Sequence, residues 1–202
     1  MSKWLKGLKD TFSKNQLVEI DRRPKIRARI RGYVVGVSDR FVLLQRVSDD
    51  MFLNGYEVLI VSNITKYRVL DDNDHFADRA LKVRSQTPNH QPDINLKDFH
   101  TLFESIARTF PLITIHREIV DPSVCNIGKP HNMTEKTIVL DEIDASAAWY
   151  GQFRYHFKSI TRISFGGCYE SALWLVNCQE SGDKKKIAKA LKADKPYAKM
   201  SH

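Results

Sequence analysis

At 202 residues, with 42% hydrophobic and 28% charged residues and a formal charge of +8, the chain has the composition of a folded globular protein with room for one large or two small domains, not of a disordered one. No apolar run approaches the ~20 residues that cross a bilayer, and lysines interrupt the N-terminal apolar positions, so neither a membrane span nor a secretory leader is expected. Five of the eight net charges sit in residues 181–202, where Lys184, Lys185, Lys186, Lys189, Lys192, Lys195 and Lys199 face only Asp183 and Asp194, so the body of the chain is not strongly basic.

Trp4, Leu5, Leu8 and Phe12 have helical spacing, which predicts an amphipathic helix over residues 2–15 with Ser2 as its cap. One Trp on two to three turns offers little area to a membrane, so the helix is expected to pack on the fold that follows. Ile26, Ala28 and Ile30 alternate with Arg27, Arg29 and Arg31, the pattern of a half-buried strand. Gly32 and Gly36 bend it, and Ser38-Asp39-Arg40 turns the chain into Phe41–Leu44, a continuous apolar run suited to a strand buried on both faces. Asn54-Gly55 reads as a hairpin turn, followed by strands over Tyr56–Val61 and Ile64–Leu70. A short helix begins near Phe76, and Pro88, Asn89, Gln91 and Pro92 mark a linker.

The clearest helix is Leu96–Thr109, with Asn95 as its cap and Pro111 at its end. Leu112–Val120 opens a second stranded region, Ile138–Leu140 forms its centre, and Phe153, Tyr155 and Phe157 alternate with Arg154, His156 and Lys158. Gly166-Gly167 precedes a closing helix carrying Leu173, Trp174 and Val176. The lysine-rich end from Ser181 is expected to be mobile, with at most a transient helix over residues 185–193.

A shift of 96 residues places Gly32 on Gly128, Asp39-Arg40 on Glu135-Lys136, Phe41–Leu44 on Thr137–Leu140 and Ile64-Thr65 on Ile160-Thr161. The expectation is an internal duplication: one unit over residues 1–87, a linker over 88–94, a second unit over 95–180 and a basic flexible tail over 181–202. The expected class is mostly β (α+β), with two tandem small β-barrels, each flanked by short helices.

The phrase SDRFVLLQRV is similar to the first Sm motif, and SNITKYRVL stands where the second belongs. Residues 26–70, and more faintly 120–165, thus resemble the Sm-like fold, a small bent barrel of the SH3 type preceded by a helix. The chain also looks like an uncharacterised family of bacterial proteins that pair a GY-x-V segment with an Ile-Thr strand. The Sm resemblance implies the barrel but not the uridine pocket. Val42 follows Phe41 where an Asn is expected, and Val61-Ser62-Asn63 replaces the Arg-Gly of the second motif.

No nucleophile elbow, phosphate-cradling glycine loop or dinucleotide fingerprint occurs, so neither catalysis nor a cofactor is expected, and a small-molecule substrate is not either. Cys125, Cys168 and Cys178 have no paired spacing and read as reduced thiols of a cytoplasmic protein. His116, Glu118, Asp121, Cys125 and His131 lack metal-ligand spacing, so no metal site is assigned. The functional expectation is a non-catalytic binding or scaffolding module acting through protein–protein contact or self-association, with strand addition at an exposed edge as the means. The alternative is weak RNA or DNA binding by a basic strand face, Lys25, Arg27, Arg29 and Arg31, together with Lys184, Lys185 and Lys186.

Overall fold

The computed structural model describes residues 4–24, 29–70, 75–88, 93–182 and 184–198, with side chains to residue 191. The first half runs α1 (Leu5–Ser13), β1 (Leu17–Arg22), β2 (Ile30–Val37), β3 (Phe41–Val47), β4 (Leu53–Ile60), β5 (Ile64–Val69) and α2 (Phe76–Val83). The second runs α3 (Phe99–Thr109), β6 (Ile113–His116), β7 (Cys125–Met133), β8 (Thr137–Ile143), β9 (Trp149–His156), β10 (Arg162–Phe165), α4 (Cys168–Glu180) and α5 (Lys184–Ala198). A 3-10 turn at Val61–Asn63 separates β4 from β5, and another at Phe157–Ser159 separates β9 from β10.

All ten strands belong to one antiparallel sheet in the order β5-β1-β2-β3-β4-β10-β6-β7-β8-β9. The mostly β class holds, but two tandem SH3-type barrels and an internal duplication do not. The sheet is open, and it crosses from one half to the other without a break. The physical reason lies at β4 and β10, which pair Leu59 with Arg162, Val58 with Ile163, Glu57 with Ser164 and Tyr56 with Phe165. Val58, Ile163 and Phe165 are buried there, and the Tyr56 and Phe165 rings stack at 5.5 Å. Backbone hydrogen bonds and apolar contact across the seam join the halves, where closed barrels would have turned each half back on itself.

One sheet face carries the main core. Val58, Ile163, Phe165, Ile113, Ile115, Ile138 and Leu140 lie there against Phe99, Leu102, Phe103 and Ile106 of α3. The helix presents that stripe because its apolar residues recur at three- and four-residue spacing. Asp98, not the expected Asn95, caps it: Asp98 Oδ1 accepts from Thr101 N at 2.9 Å, and Thr101 Oγ1 accepts from Asp98 N in return. The opposite face holds two smaller clusters. Val18, Ile20, Val34, Val42, Leu44 and Leu59 pack with Leu8 of α1, while Leu112, Ile127, Ile143 and Ala147 pack with Leu173 of α4. Between them the face turns polar along Glu57, Arg162, Ser164, His116 and Thr114.

Asn54-Gly55 does not form the expected hairpin turn, since both residues lie inside β4. The β3–β4 turn is at Ser48–Phe52, where Met51 takes φ 61°. Gly55 is needed for a close approach instead. It has φ 65°, and a Cβ there would lie 2.6 Å from the Gly167 nitrogen. Asn54 Oδ1 accepts from Cys168 N at 2.8 Å, tying β4 to the start of α4. At the other end, α5 folds over residues 184–198, beyond the short helix expected, and packs against α4 with Ala190 buried. No helix among the described residues is long and apolar enough to cross a membrane.

Candidate strand-docking edge

Among the described residues the open sheet ends at β5 and β9, and on β5 the Trp4 indole N–H donates to the Ile64 carbonyl at 2.9 Å. On its inner side β9 is fixed by β8, with Phe153 opposite Leu140 and Tyr155 opposite Ile138. Tyr155 anchors it. Its hydroxyl donates a short hydrogen bond to Glu142, itself 4% exposed, and the Arg117 guanidinium lies 4.7 Å over the ring. Burial, then the Glu142 carboxylate, pushes the Tyr155 phenol far above its ordinary range.

Among the described residues no strand pairs with the outer side of β9, which exposes backbone N–H and C=O groups beside large apolar side chains, the His156 carbonyl being taken by Ser159 Oγ. Trp149, Tyr150 and Phe153 are 44%, 59% and 37% exposed, and the Tyr150 and Phe153 rings stack at 5.0 Å. Clustered exposed aromatics on an unprotected edge mark a contact surface. The β5 edge differs in chemistry. Lys66 and Arg68 are exposed there, and Arg68 is held by Glu19 at 2.6 Å, while Tyr67 packs edge-on against Trp4.

Where β9 ends, a groove of about 630 Å³ opens between the loops. Phe99 and Phe157, stacked at 4.9 Å, form its aromatic wall, and Arg40 covers Phe99 at 4.5 Å. Lys136, Lys158, His100 and His156 complete the lining with Asp98 and Glu135. The Asp98 carboxylate is already occupied in capping α3, and the backbone N–H of Thr101 holds its pKa below the usual range.

The sequence candidates fall elsewhere. Lys25 and Arg27 lie outside the described residues. Arg29 bonds Glu19 at 3.2 Å and reaches Asp21 at 3.4 Å, and Arg31 bonds Glu19 at 3.3 Å. Burial works to raise the Glu19 pKa, but hydrogen bonds from Arg68 and Arg31 outweigh it and the net shift is downward. These two arginines thus face carboxylates on β1. Lys184, Lys185 and Lys186 open α5, a separate element.

His116 and Glu118 are parts of a buried charge network. Arg22 grips Glu118 with two bonds of 2.5 and 2.6 Å, Thr161 Oγ1 donates at 2.5 Å and Arg162 Nε at 2.9 Å, while Arg162 also bonds Glu57. Desolvation alone would raise the Glu118 pKa, but these donors hold it at about 2. Desolvation, reinforced by Arg162, lowers His116 to about 3, with Ser164 Oγ 3.2 Å from its Nε2. Among the described residues no three His, Cys, Asp or Glu side chains gather to hold a metal.

Trp149 and Tyr150 give no signal of their own in the sequence, although Trp-Tyr-Gly-Gln directly precedes the alternating stretch at residues 153–158. Arg40, Lys136 and Lys158 are scattered along the chain and give no local signal. No family model, curated protein or solved structure matches the chain.

Proposed function

We propose that this chain is a non-catalytic binding module that takes an extended protein strand along β9. The observation carrying the proposal is the bare edge of β9 with Trp149, Tyr150 and Phe153 exposed beside it. An added strand satisfies the open backbone groups, and the aromatic side chains supply the apolar area that makes the addition favourable. Tyr155 and Glu142 keep the receiving strand rigid, which lowers the ordering cost of binding. Panning a displayed library of random peptides against the whole protein tests this. Peptides that bind the native chain and lose binding on Phe153→Lys support it, and equal recovery on both proteins rejects it.

The basic groove favours a second reading, contact with single-stranded RNA or DNA. Arg40, Lys136 and Lys158 are exposed cations that can follow a phosphate backbone, while the Phe99 and Phe157 rings are buried behind them. Oligonucleotide affinity that drops steeply between roughly 50 and 200 mM salt, and again on Lys136→Glu, supports this reading. Affinity insensitive to both removes it.

A further inference from the structure

α4 is apolar on every side of its axis, with Tyr169, Ala172, Leu173, Trp174, Leu175 and Val176 following closely on one another. A helix of that composition needs cover all round. The fold covers only part of it. Leu173 is buried in the cluster with Ile127, Ile143 and Ala147, and Cys178 is buried as well. Tyr169, Ala172 and Val176 recur at spacings of three and four residues, so they make one stripe, and all three are exposed. Tyr169 is 55% and Val176 44% open to solvent. α5 lies alongside, packed against α4 with Ala190 buried and Ile187 half-buried. The link at residues 181–183 is short, which makes the two helices antiparallel neighbours. The remaining sides of α5 bring Lys184, Lys185, Lys186 and Lys189 to the surface, and Leu191 beside them is 54% exposed. Residues 184–191 contain no acidic side chain, and five of the eight net charges of the chain lie in residues 181–202.

We propose that the α4–α5 face docks on an anionic lipid bilayer. The stripe of Tyr169, Ala172 and Val176, with Leu191, enters the boundary between headgroups and acyl chains, and the α5 lysines meet the lipid phosphates and carboxylates. Two features favour lipid over other polyanions. Aliphatic side chains at positions 176 and 191 gain nothing from a phosphate backbone, but they gain from hydrocarbon. α4 and α5 also lie on the outside of the sheet, so their uncovered side is an outer surface of the molecule that a broad bilayer can touch. Neither signal suffices alone. The apolar stripe is short, and lysines alone give attraction without insertion, so the contact needs both and is reversible. The contact uses none of the β9 residues and goes beyond the reading of β9 as a strand acceptor.

Flotation of the full chain with vesicles tests this, using phosphatidylcholine alone and phosphatidylcholine mixed with an equal amount of phosphatidylserine. Native protein is expected to float with the mixed vesicles, to stay behind with phosphatidylcholine alone, and to be released when salt is raised to about 1 M, where the Debye length falls to about 3 Å. Lys184→Glu with Lys189→Glu should weaken partitioning at least roughly tenfold. Val176→Glu and Leu191→Glu, both at exposed positions, are made separately and read only where the native thermal midpoint is kept, and each should weaken partitioning severalfold. Phe153→Lys should float like native protein. Flotation with neither vesicle, equal flotation with both, or a loss on Phe153→Lys would overturn the proposal. So would glutamate variants at 176 and 191 that float as well as native protein while the lysine variant does not, because the attraction would then be charge alone, of the kind any nucleic acid would show.

Discussion

Glu118 accepts hydrogen bonds from Arg22, Thr161 and Arg162 at 3% side-chain exposure, and its removal leaves two guanidinium groups facing a hole. Glu118→Ala is expected to cost about 3–5 kcal/mol, the usual penalty for stranding a buried partner, measured by urea unfolding at neutral pH. Arg22→Met combined with Glu118→Leu should cost less than the two single changes together, because neither charge is then left alone. The neighbouring imidazole sets the acid response. His116 titrates at about 3 in the fold and near 6.5 in the unfolded chain, so the unfolded state takes up the proton first. Stability therefore falls as pH drops below about 6.5 and continues to fall to about 3. Glu118, depressed to about 2, adds a second loss as pH falls from its ordinary value near 4.3. His116→Gln removes only the first of these. The drop in urea midpoint between pH 7 and pH 5 should shrink in that variant, and an unchanged drop would assign the acid sensitivity to another group.

At the level of single elements, Gly32 and Gly128 do the same work on different strands. A Cβ on Gly32 would collide with the Gln45 carbonyl, and one on Gly128 with that of Asp141. Both obstacles are backbone atoms of the neighbouring strand, so neither can swing aside. Gly32→Ala and Gly128→Ala are each expected to lower stability by about 1–3 kcal/mol, read as a shift in thermal midpoint. Of the two, Gly32 was legible in the sequence as a bend, and so were the turn at residues 38–40, the doubly buried run Phe41–Leu44 and the helix bearing Phe99 to Ile106. Each depends on neighbours close in the chain. β1 escaped notice because Leu17, Val18, Glu19 and Ile20 are all buried, and Glu19 tolerates burial only through Arg31 and Arg68. Alternation is absent from a strand covered on both faces. Asn54-Gly55 misled for a related reason. The pair has turn chemistry, but the conformation answers to Gly167, more than a hundred residues on.

For the whole molecule, the decisive contact is the pairing of β4 with β10. No local pattern announces it, so two barrels and a duplicated plan were a reasonable expectation from apolar periodicity, and an open sheet is the outcome. One apolar cluster draws on both halves, with Leu17, Phe41 and Val58 alongside Phe103, Ile115 and Phe165. Urea unfolding is therefore expected to be a single transition. Trp4 packs beneath β5, while Trp149 on β9 and Trp174 on α4 belong to the second half, so fluorescence of Trp4→Phe samples the second half and that of a Trp149→Phe/Trp174→Phe double variant the first. Coincident midpoints support one cooperative body, and a separation between them would show halves that melt independently.

The seam also has a consequence for synthesis on the ribosome. Tyr56 through Leu59 emerge long before Phe165 and Arg162, the residues that will cover them. Throughout that interval the nascent first half displays an apolar strand flank that the finished protein hides. Slow translation or stalling within residues 70–160 should thus promote clumping of truncated chains, while a release after residue 165 should not.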